Sequence, residues 1–194
     1  MHHITKDYQT IPGVPLKLHE NRMFTVLFNG YYHYVEFNNE LRGAVMVPRF
    51  SNGDFLLVNL RRAPAIGASL EFPRGGINSN ETLEFGAVRE VLEETGFDLP
   101  ENAATFIGKF GADTATLNGL QNAFLVTIPD RVQPGDYDQK EINWPVRISE
   151  ADFLQKIRGG EIVDGITLAA WSLYQTYESG LDKTSKSETL GLEV

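Results

Sequence analysis

Cysteine is absent from the 194-residue sequence, which excludes a disulfide framework and a thiol nucleophile and suits a reducing compartment. Long apolar runs are absent too: no stretch approaches the roughly 18 consecutive apolar residues that a membrane-spanning helix needs. The N-terminus lacks the apolar core of a secretory signal. We therefore expect a soluble, cytoplasmic protein without a membrane partner.

Positive charge is scarce. The sequence has 17 Lys and Arg residues against 26 Asp and Glu, a formal net charge of −9 at pH 7, and the basic residues form no long run. Because contacts to a nucleic-acid backbone need clustered Lys and Arg, we expect no nucleic-acid partner. The same acidic charge opposes a polyphosphate substrate, so metal ions would have to offset the repulsion locally.

The residues that are present favour one compact domain with an extension. Hydrophobic residues make up 42% of the chain, enough at this length for one substantial core. Residues 1–42 begin as an extended arm and continue into two β-rich runs separated by Asn29-Gly30, a strong signal for a β-hairpin. We expect residues 43–179 to form the main domain and residues 180–194 to form a flexible tail.

Strand and helix patterns alternate through the main domain. Helices are indicated after Ser149, where Asp152 completes a capping box, and from Ile166 to Tyr177. Strands interspersed with a few helices indicate a mixed α/β layer fold. The expected strands are 43–50, 54–61, 104–110, 121–128 and 141–148.

The stretch from Thr82 to Thr95 has the pattern of an amphipathic helix. It contains no proline and ends at Gly96, a residue that commonly terminates helices. Apolar residues recur at helical spacing, and we expect Val88, Val91 and Leu92 to form the buried stripe.

Three carboxylates crowd together on this helix. Glu90 and Glu94 are four residues apart and Glu93 is three from Glu90, so all three lie on or near one face. Like charges so placed repel each other, whereas a hard divalent cation such as Mg²⁺ needs such a group of oxygen ligands. Arg89 lies four residues before Glu93, so it can pair with one carboxylate and fix its orientation while the others bind metal.

The segment from Gly75 to Phe97, GGINSNETLEFGAVREVLEETGF, carries a specific motif. It matches the signature G-x5-E-x7-R-E-U-x-E-E-x-G-U, in which U is a bulky apolar residue, at every position. The sequence therefore resembles the Nudix hydrolase superfamily. The resemblance implies an α/β/α sandwich on a mixed sheet, a loop-helix-loop that holds Mg²⁺ or Mn²⁺, and cleavage of a nucleoside diphosphate linked to another group.

Carried over position by position, the resemblance implies a metal site. Glu90 and Glu94 are the expected principal ligands, and Glu93 is a ligand or the residue that activates water. The backbone carbonyl of Arg74, just before the motif, is expected to complete the metal shell.

The resemblance also implies orienting and proton-accepting groups. Arg89 and Glu81 are expected to orient the metal ligands. Relatives often supply a base or a further metal ligand from the loop before the last strand, where this sequence offers Asp136, Asp138 and Glu141. We favour Glu141 among these three, although a solvated loop has the same composition.

The sequence resembles one branch of the superfamily more than the others. The run RAPAIGASLEFPRG, residues 62–75, and the later run IRGGEIVDGITLAAWSLY, residues 157–174, resemble ADP-ribose pyrophosphatases and related nucleoside-diphosphate-sugar hydrolases. The resemblance implies a nucleoside diphosphate-linked small-molecule substrate, with Arg62, Glu71 and Arg74 as candidate substrate-binding residues.

Relatives in this branch dimerise through a small N-terminal sheet, so the resemblance implies a homodimer formed by the hairpin; an ordinary edge hairpin is an equal alternative. Two other functions stay open. FPRGG also resembles the start of the motif in dinucleoside polyphosphate hydrolases, and a nucleotide-sensing Nudix domain without turnover would keep the fold. The choice between Mg²⁺ and Mn²⁺, the leaving group and the oligomeric state are not determined by these residues.

Overall fold

The structure, a computed structural model, describes residues 13–37, 42–62, 67–140 and 142–180. The first part of the expected arm, the tail beyond residue 180 and Glu141 lie outside the described residues. The strands are β1 (Leu16–Glu20), β2 (Phe24–Phe28), β3 (His33–Phe37), β4 (Arg42–Phe50), β5 (Phe55–Arg61), β6 (Ala68–Glu71), β7 (Arg74–Ile77), β8 (Ala104–Phe110), β9 (Gln121–Ile128) and β10 (Ile142–Ile148). The helices are α1 (Leu83–Thr95), α2 (Glu150–Arg158) and α3 (Gly165–Glu178), and a short 3₁₀ turn spans Glu101–Ala103.

A seven-stranded mixed sheet forms the centre of the main domain. Its strand order is β10-β5-β4-β9-β8, with β6 paired to β5 and β7 paired to β4. β4 runs parallel to β9 and antiparallel to β5 and β7. β4 and β5 pair only near their shared turn and then diverge, so β6 and β7 extend the sheet where they separate.

Side chains along β4 alternate between the two faces of the sheet, and this alternation explains why helices cover both faces. Ala44 and Met46 belong to the core cluster that contains the buried residues of α1. Val45 and Val47 point to the opposite face, into the cluster that contains Phe153 of α2 and the buried residues of α3. Successive strand residues face opposite sides, so an apolar strand buries both faces. Each large side chain buried in this way contributes about 1.5–3 kcal/mol. The result is the predicted α/β/α sandwich.

The ends of α1 are fixed by the residues that the sequence suggested. Thr82 is the N-cap, and its hydroxyl accepts a hydrogen bond of 3.1 Å from the Phe85 N–H. Gly96 ends the helix in the left-handed conformation, at φ 78°, and its N–H donates to the Leu92 carbonyl. The prediction that Leu92 is buried is wrong. The helix buries a stripe through Ala87, Val91 and Thr95, and Leu92 lies about 100° around from Val91 and is 37% exposed.

The N-terminal segment forms a separate three-stranded antiparallel sheet, β1-β2-β3. The predicted hairpin at Asn29-Gly30 is present: Gly30 has φ 95°, and the Asn29 side chain accepts hydrogen bonds from the next backbone N–H groups. β1 lies in the segment predicted as an extended arm. The edge strand β3 meets the loop after β8, where the Val35 N–H donates to the Thr116 carbonyl and the Val35 carbonyl accepts from the Asn118 N–H.

A membrane-spanning helix would need more length and more apolar surface than any helix of the described ranges provides.

Candidate active site

The loop before α1 packs directly against the acidic face of the helix. A side chain at Gly75 would overlap the carboxylate of Glu90, so glycine is required for this close approach. One residue earlier, the Arg74 N–H donates a 3.1 Å hydrogen bond to Glu94 Oε2. The β7 backbone and the carboxylates of Glu90 and Glu94 therefore form one wall of a site.

Arg89 sits among the motif carboxylates. Its Nη1 lies 2.8 Å from Glu90 Oε1 and 3.2 Å from Glu93 Oε2, and its Nη2 lies 2.8 Å from Glu81 Oε1. Nη2 also donates to the Gly76 carbonyl at 2.8 Å. The hydrogen bonds from Arg89 lower the pKa of Glu81 to about 2, and the same contacts raise the pKa of Arg89. Arg89 thus cross-links the loop, Glu81 and the helix.

The carboxylates of Glu90, Glu93 and Glu94 differ in their exposure to solvent. Glu93 is 52% exposed, whereas the Glu90 side chain is only 12% exposed. Burial raises the pKa of Glu94 to about 8 despite the hydrogen bond from the Arg74 backbone, and burial also raises the pKa of Glu90. A carboxylate that is costly to ionise by itself is stabilised by a bound cation.

These groups fit a hard divalent cation. In the part of the chain that the structure describes, no three acidic or histidine side chains converge tightly enough to hold a metal ion by themselves. Arg89 accounts for this, since it draws Glu90 and Glu93 toward its own guanidinium. Mg²⁺ commonly binds through one or two protein carboxylates and completes its shell with waters and substrate phosphates. Glu90 and Glu94 supply such a pair.

A second charged cluster lies at the end of β6. Glu71 is almost fully buried, at 1% exposure. It accepts hydrogen bonds from Arg62 Nε at 3.0 Å and Nη2 at 2.6 Å, and its Oε2 lies 2.9 Å from Arg74 Nη2. Burial acts to raise the pKa of Glu71, but Arg62 and Arg74 together hold it below its usual value. The three predicted substrate-binding residues are therefore neighbours, with Glu71 buried between the two arginines.

Asp164 joins this cluster from the other end of the chain. Its carboxylate lies 3.3 Å from Arg74 Nη1, and it is the N-cap of α3, accepting a 2.8 Å hydrogen bond from the Thr167 N–H. The sequence analysis assigned no role to Asp164. The signal was present in the Gly-x-Ile-x-Asp stretch that precedes α3, but the ion pair joins residues 90 positions apart and is visible only in the fold.

The loop before β10 approaches Glu93. The Asp138 N–H donates to the Glu93 carbonyl at 2.7 Å, and Asp136 and Asp138 line a shallow depression of about 430 Å³ together with Glu93. Glu141, the favoured loop acid, lies outside the described residues. Two further grooves, of about 550 and 440 Å³, lie between the N-terminal sheet and the loop after β8, away from the motif glutamates.

The NUDIX domain family matches residues 40–151, more than half of the chain. The chain belongs to this family, and the protein is a Nudix hydrolase. Nudix enzymes generally use divalent metal ions.

The fold also matches that of known structures. One solved structure, described as the crystal structure of ADP compounds hydrolase, is similar with a TM-score of 0.65 and 20% sequence identity, over 91% of this chain and 100% of that chain. At this identity the likeness concerns the fold. A comparison with curated proteins finds no significant match.

Proposed function

We propose that the protein hydrolyses the pyrophosphate bond of ADP-ribose or a related nucleoside diphosphate sugar, in a reaction that depends on Mg²⁺ or Mn²⁺ and releases a nucleoside monophosphate and a sugar phosphate. The observation that carries the proposal is the contact between the partly buried Glu94 carboxylate and the Arg74 backbone, beside the Arg62–Glu71–Arg74 cluster. The similar structure described as ADP compounds hydrolase supports a substrate of this class.

Glu90 and Glu94 are the proposed principal metal ligands, with Glu93 and the Arg74 carbonyl as further ones. When bound, the metal lowers the pKa of a water molecule and offsets phosphate charge. Glu93 is the proposed proton acceptor, since it is the most exposed of Glu90, Glu93 and Glu94. Glu141 is the proposed alternative base.

The arginines have separate proposed tasks. Arg89 holds Glu90 and Glu93 in position through hydrogen bonds from its Nη1. Arg62 and Arg74 share the charge of Glu71 and present positive charge next to the metal-binding glutamates, where they can offset the charge of a substrate phosphate. Arg62 has its Nε and Nη2 engaged by Glu71, so its Nη1 edge is the one offered to a substrate.

The proposal extends to assembly and location. We propose a cytoplasmic homodimer, with the N-terminal segment 1–42 as the dimerisation element, residues 43–179 as the catalytic domain and residues 180–194 as a tail. Exposed aromatic side chains support the assembly: Tyr31 is 79% exposed and Phe37 is 54% exposed on the N-terminal sheet.

Dinucleoside polyphosphate hydrolysis is the alternative activity, supported by the FPRGG run at the start of the motif. A nucleotide-sensing domain without turnover is less well supported, since such domains commonly lose motif glutamates and this chain keeps Glu90, Glu93 and Glu94.

A substrate panel tests the proposal. Phosphate release through a coupled phosphatase is measured with ADP-ribose, ADP-glucose, GDP-mannose, NADH and Ap4A, each with Mg²⁺ and with Mn²⁺. We expect ADP-ribose or another nucleoside diphosphate sugar to give the highest kcat/KM. Preferred cleavage of Ap4A would favour the alternative, and nucleotide binding without any turnover would favour the sensor.

A further inference from the structure

The first turn of α3 holds the short connection between β6 and β7. The Phe72 N–H donates a 3.0 Å hydrogen bond to the hydroxyl oxygen of Thr167, a residue with no solvent exposure. The same hydroxyl donates to Asp164 Oδ2 at 2.8 Å. A residue of the loop that precedes the Nudix motif is thus tied to a helical residue 95 positions later in the chain.

Asp164 performs two tasks, and only one needs a charge. As the N-cap it accepts from the Thr167 N–H, a task that Ser or Asn performs as well in other helices. Ser149, for example, caps α2 in the same way through a 3.1 Å hydrogen bond from the Asp152 N–H. The negative charge of Asp164 is used by Arg74, whose Nη1 lies 3.3 Å away. Both side chains are shielded, with Asp164 15% and Arg74 22% exposed.

Arg74 connects Asp164 to the motif glutamate Glu94. Its Nη2 pairs with the buried Glu71, and its backbone N–H bonds to Glu94 Oε2. Arg74 is therefore fixed on one side by two carboxylates that do not belong to the Nudix motif, and on the other it meets a motif glutamate. A single residue separates Asp164 from Glu94 in this chain of contacts.

We propose that Asp164 is a positioning residue for hydrolysis: it acts through Arg74 and keeps the Arg74 N–H directed at Glu94. This inference rests on the proposed function for its catalytic consequence, while its structural part stands on the contacts alone. Glu71 still holds the Arg74 guanidinium when the Asp164 charge is removed, whereas the contact at Glu94 concerns a proposed metal ligand, so Asp164 should affect turnover more than substrate binding.

The test compares Asp164→Asn with Ser149→Ala. Asparagine keeps one oxygen for the cap of α3, removes the negative charge and replaces the other oxygen by an NH₂ donor, so the contact with Arg74 is lost. The cap remains, so the melting temperature should shift by less than about 4 °C. We expect kcat for the best substrate to fall at least about tenfold, with KM changed less than about threefold. Ser149→Ala removes a helix cap that has no contact with Arg74, so it should lower the melting temperature by about 2–4 °C and leave kcat within about twofold.

Hydrogen exchange at the Arg74 amide, followed in the metal-free protein, supplies a measurement that does not depend on activity. Asp164→Asn should speed exchange at this amide, and Ser149→Ala should not. Unchanged exchange in Asp164→Asn would overturn the proposal, even if kcat fell, because Asp164 would then act by a route other than Arg74. Normal kcat in an active enzyme would overturn it equally.

The two measurements separate this inference from the proposed function. If the wild-type protein cleaves no nucleoside diphosphate-linked compound, the proposed function fails. Faster exchange of the Arg74 amide in Asp164→Asn would still support the link between Asp164 and the Arg74 N–H. If the wild-type protein is active and the amide is unaffected, only the positioning role fails.

Discussion

Arg89 and Glu81 show how a single ion pair supports a catalytic face. Arg89 has carboxylate partners in three different residues, and of these Glu81 makes the most complete contact, with hydrogen bonds to both Nε and Nη2. Glu81 also accepts from the Asn78 backbone and side chain, so it anchors the loop before α1 as well as Arg89. The loop, and with it the approach of Gly75 to Glu90, depends on this one carboxylate staying ionised.

The stability provided by Glu81 should therefore depend on pH. Its folded pKa is about 2 against an ordinary value of 4.5. A lowered pKa stabilises the folded protein fully above about pH 4.5 to 5.5, and this contribution is lost as the pH falls toward 2. We expect Glu81→Gln to lower the free energy of unfolding by about 1–2 kcal/mol at pH 6, with the difference from wild type shrinking as the pH falls to 3.

Urea unfolding of both proteins between pH 3 and 6.5 measures this difference. Glu84→Gln, three residues later in the first turn of α1, is the control and should show no such trend. If the free energy of unfolding of wild type exceeded that of Glu81→Gln by the same amount at every pH in this range, the role given to Glu81 would be contradicted.

The Nudix motif works as a unit of loop and helix because the two are in contact. Gly75 lies against Glu90, and Gly86 inside α1 lies against Ile77 of β7, where an added Cβ would be 2.7 Å from Ile77 Cγ2. Each glycine lets the helix approach the β7 segment at a distance that a larger residue would not permit. Gly75, a fixed position of the motif, and Gly86, a variable one, thus set how closely α1 lies to β7.

Gly75→Ala should disable this unit. The new methyl group would displace the Glu90 carboxylate, and we expect activity to fall at least about tenfold, since small displacements of catalytic groups are costly. Gly165→Ala is the control, because a Cβ there meets no heavy atom within 4 Å and alanine favours the first turn of α3. Steady-state kinetics on the best substrate measures this loss of activity. Full activity in Gly75→Ala would show that Gly75 is not needed to position the Glu90 carboxylate.

Local patterns allowed most elements to be predicted. Alternating or continuous apolar residues indicated β4, β5, β8, β9 and β10, and capping residues located α1 and α2, because strand faces and helix caps depend on near neighbours. β1 was missed because its apolar alternation is short, only Leu16 and Leu18, and follows a segment whose Pro and Gly residues indicated an extended arm. Leu92 was placed in the core because periodicity alone did not show which side of the stripe would be covered.

The site was less predictable than the fold. The motif spacing identified Arg89, Glu90, Glu93 and Glu94, which lie within about one and a half turns of the same helix. It did not show that Arg89 would contact three carboxylates, or that Arg62 would be engaged by Glu71. The contact of Asp164 with Arg74 depends on how α3 packs on the sheet, and no short-range pattern contains that information.

In the whole molecule, the N-terminal sheet and the main domain meet along β3 and the loop after β8. The Asn118 side chain donates to Glu36, and Val35 is bonded on both backbone groups to this loop. Apolar side chains of the N-terminal segment, including Met23, Tyr32 and Phe37, remain exposed and line the grooves beside the loop after β8. Such a surface is consistent with the proposed contact between two copies of the chain.

Sedimentation equilibrium should find a homodimer at micromolar concentration. Phe37→Asp places a charge on the proposed interface, and we expect it to weaken dimerisation at least about tenfold because a buried unpaired charge is costly. Trp144→Asp, at another exposed aromatic residue on the edge strand β10, should leave dimerisation unchanged. A monomeric wild-type protein, or equal effects of both substitutions, would contradict the assignment of the N-terminal sheet.

We propose that the partly buried motif glutamates Glu90 and Glu94 hold the metal for cleavage of a nucleoside diphosphate-linked compound. The most direct test is the release of AMP from ADP-ribose, resolved by chromatography, by wild type, Glu94→Gln and Glu84→Gln with and without Mg²⁺. We predict Mg²⁺-dependent AMP release by wild type and Glu84→Gln, and a loss of at least about a hundredfold in Glu94→Gln. Equal rates for wild type and Glu94→Gln, or release that is indifferent to the metal, would contradict it.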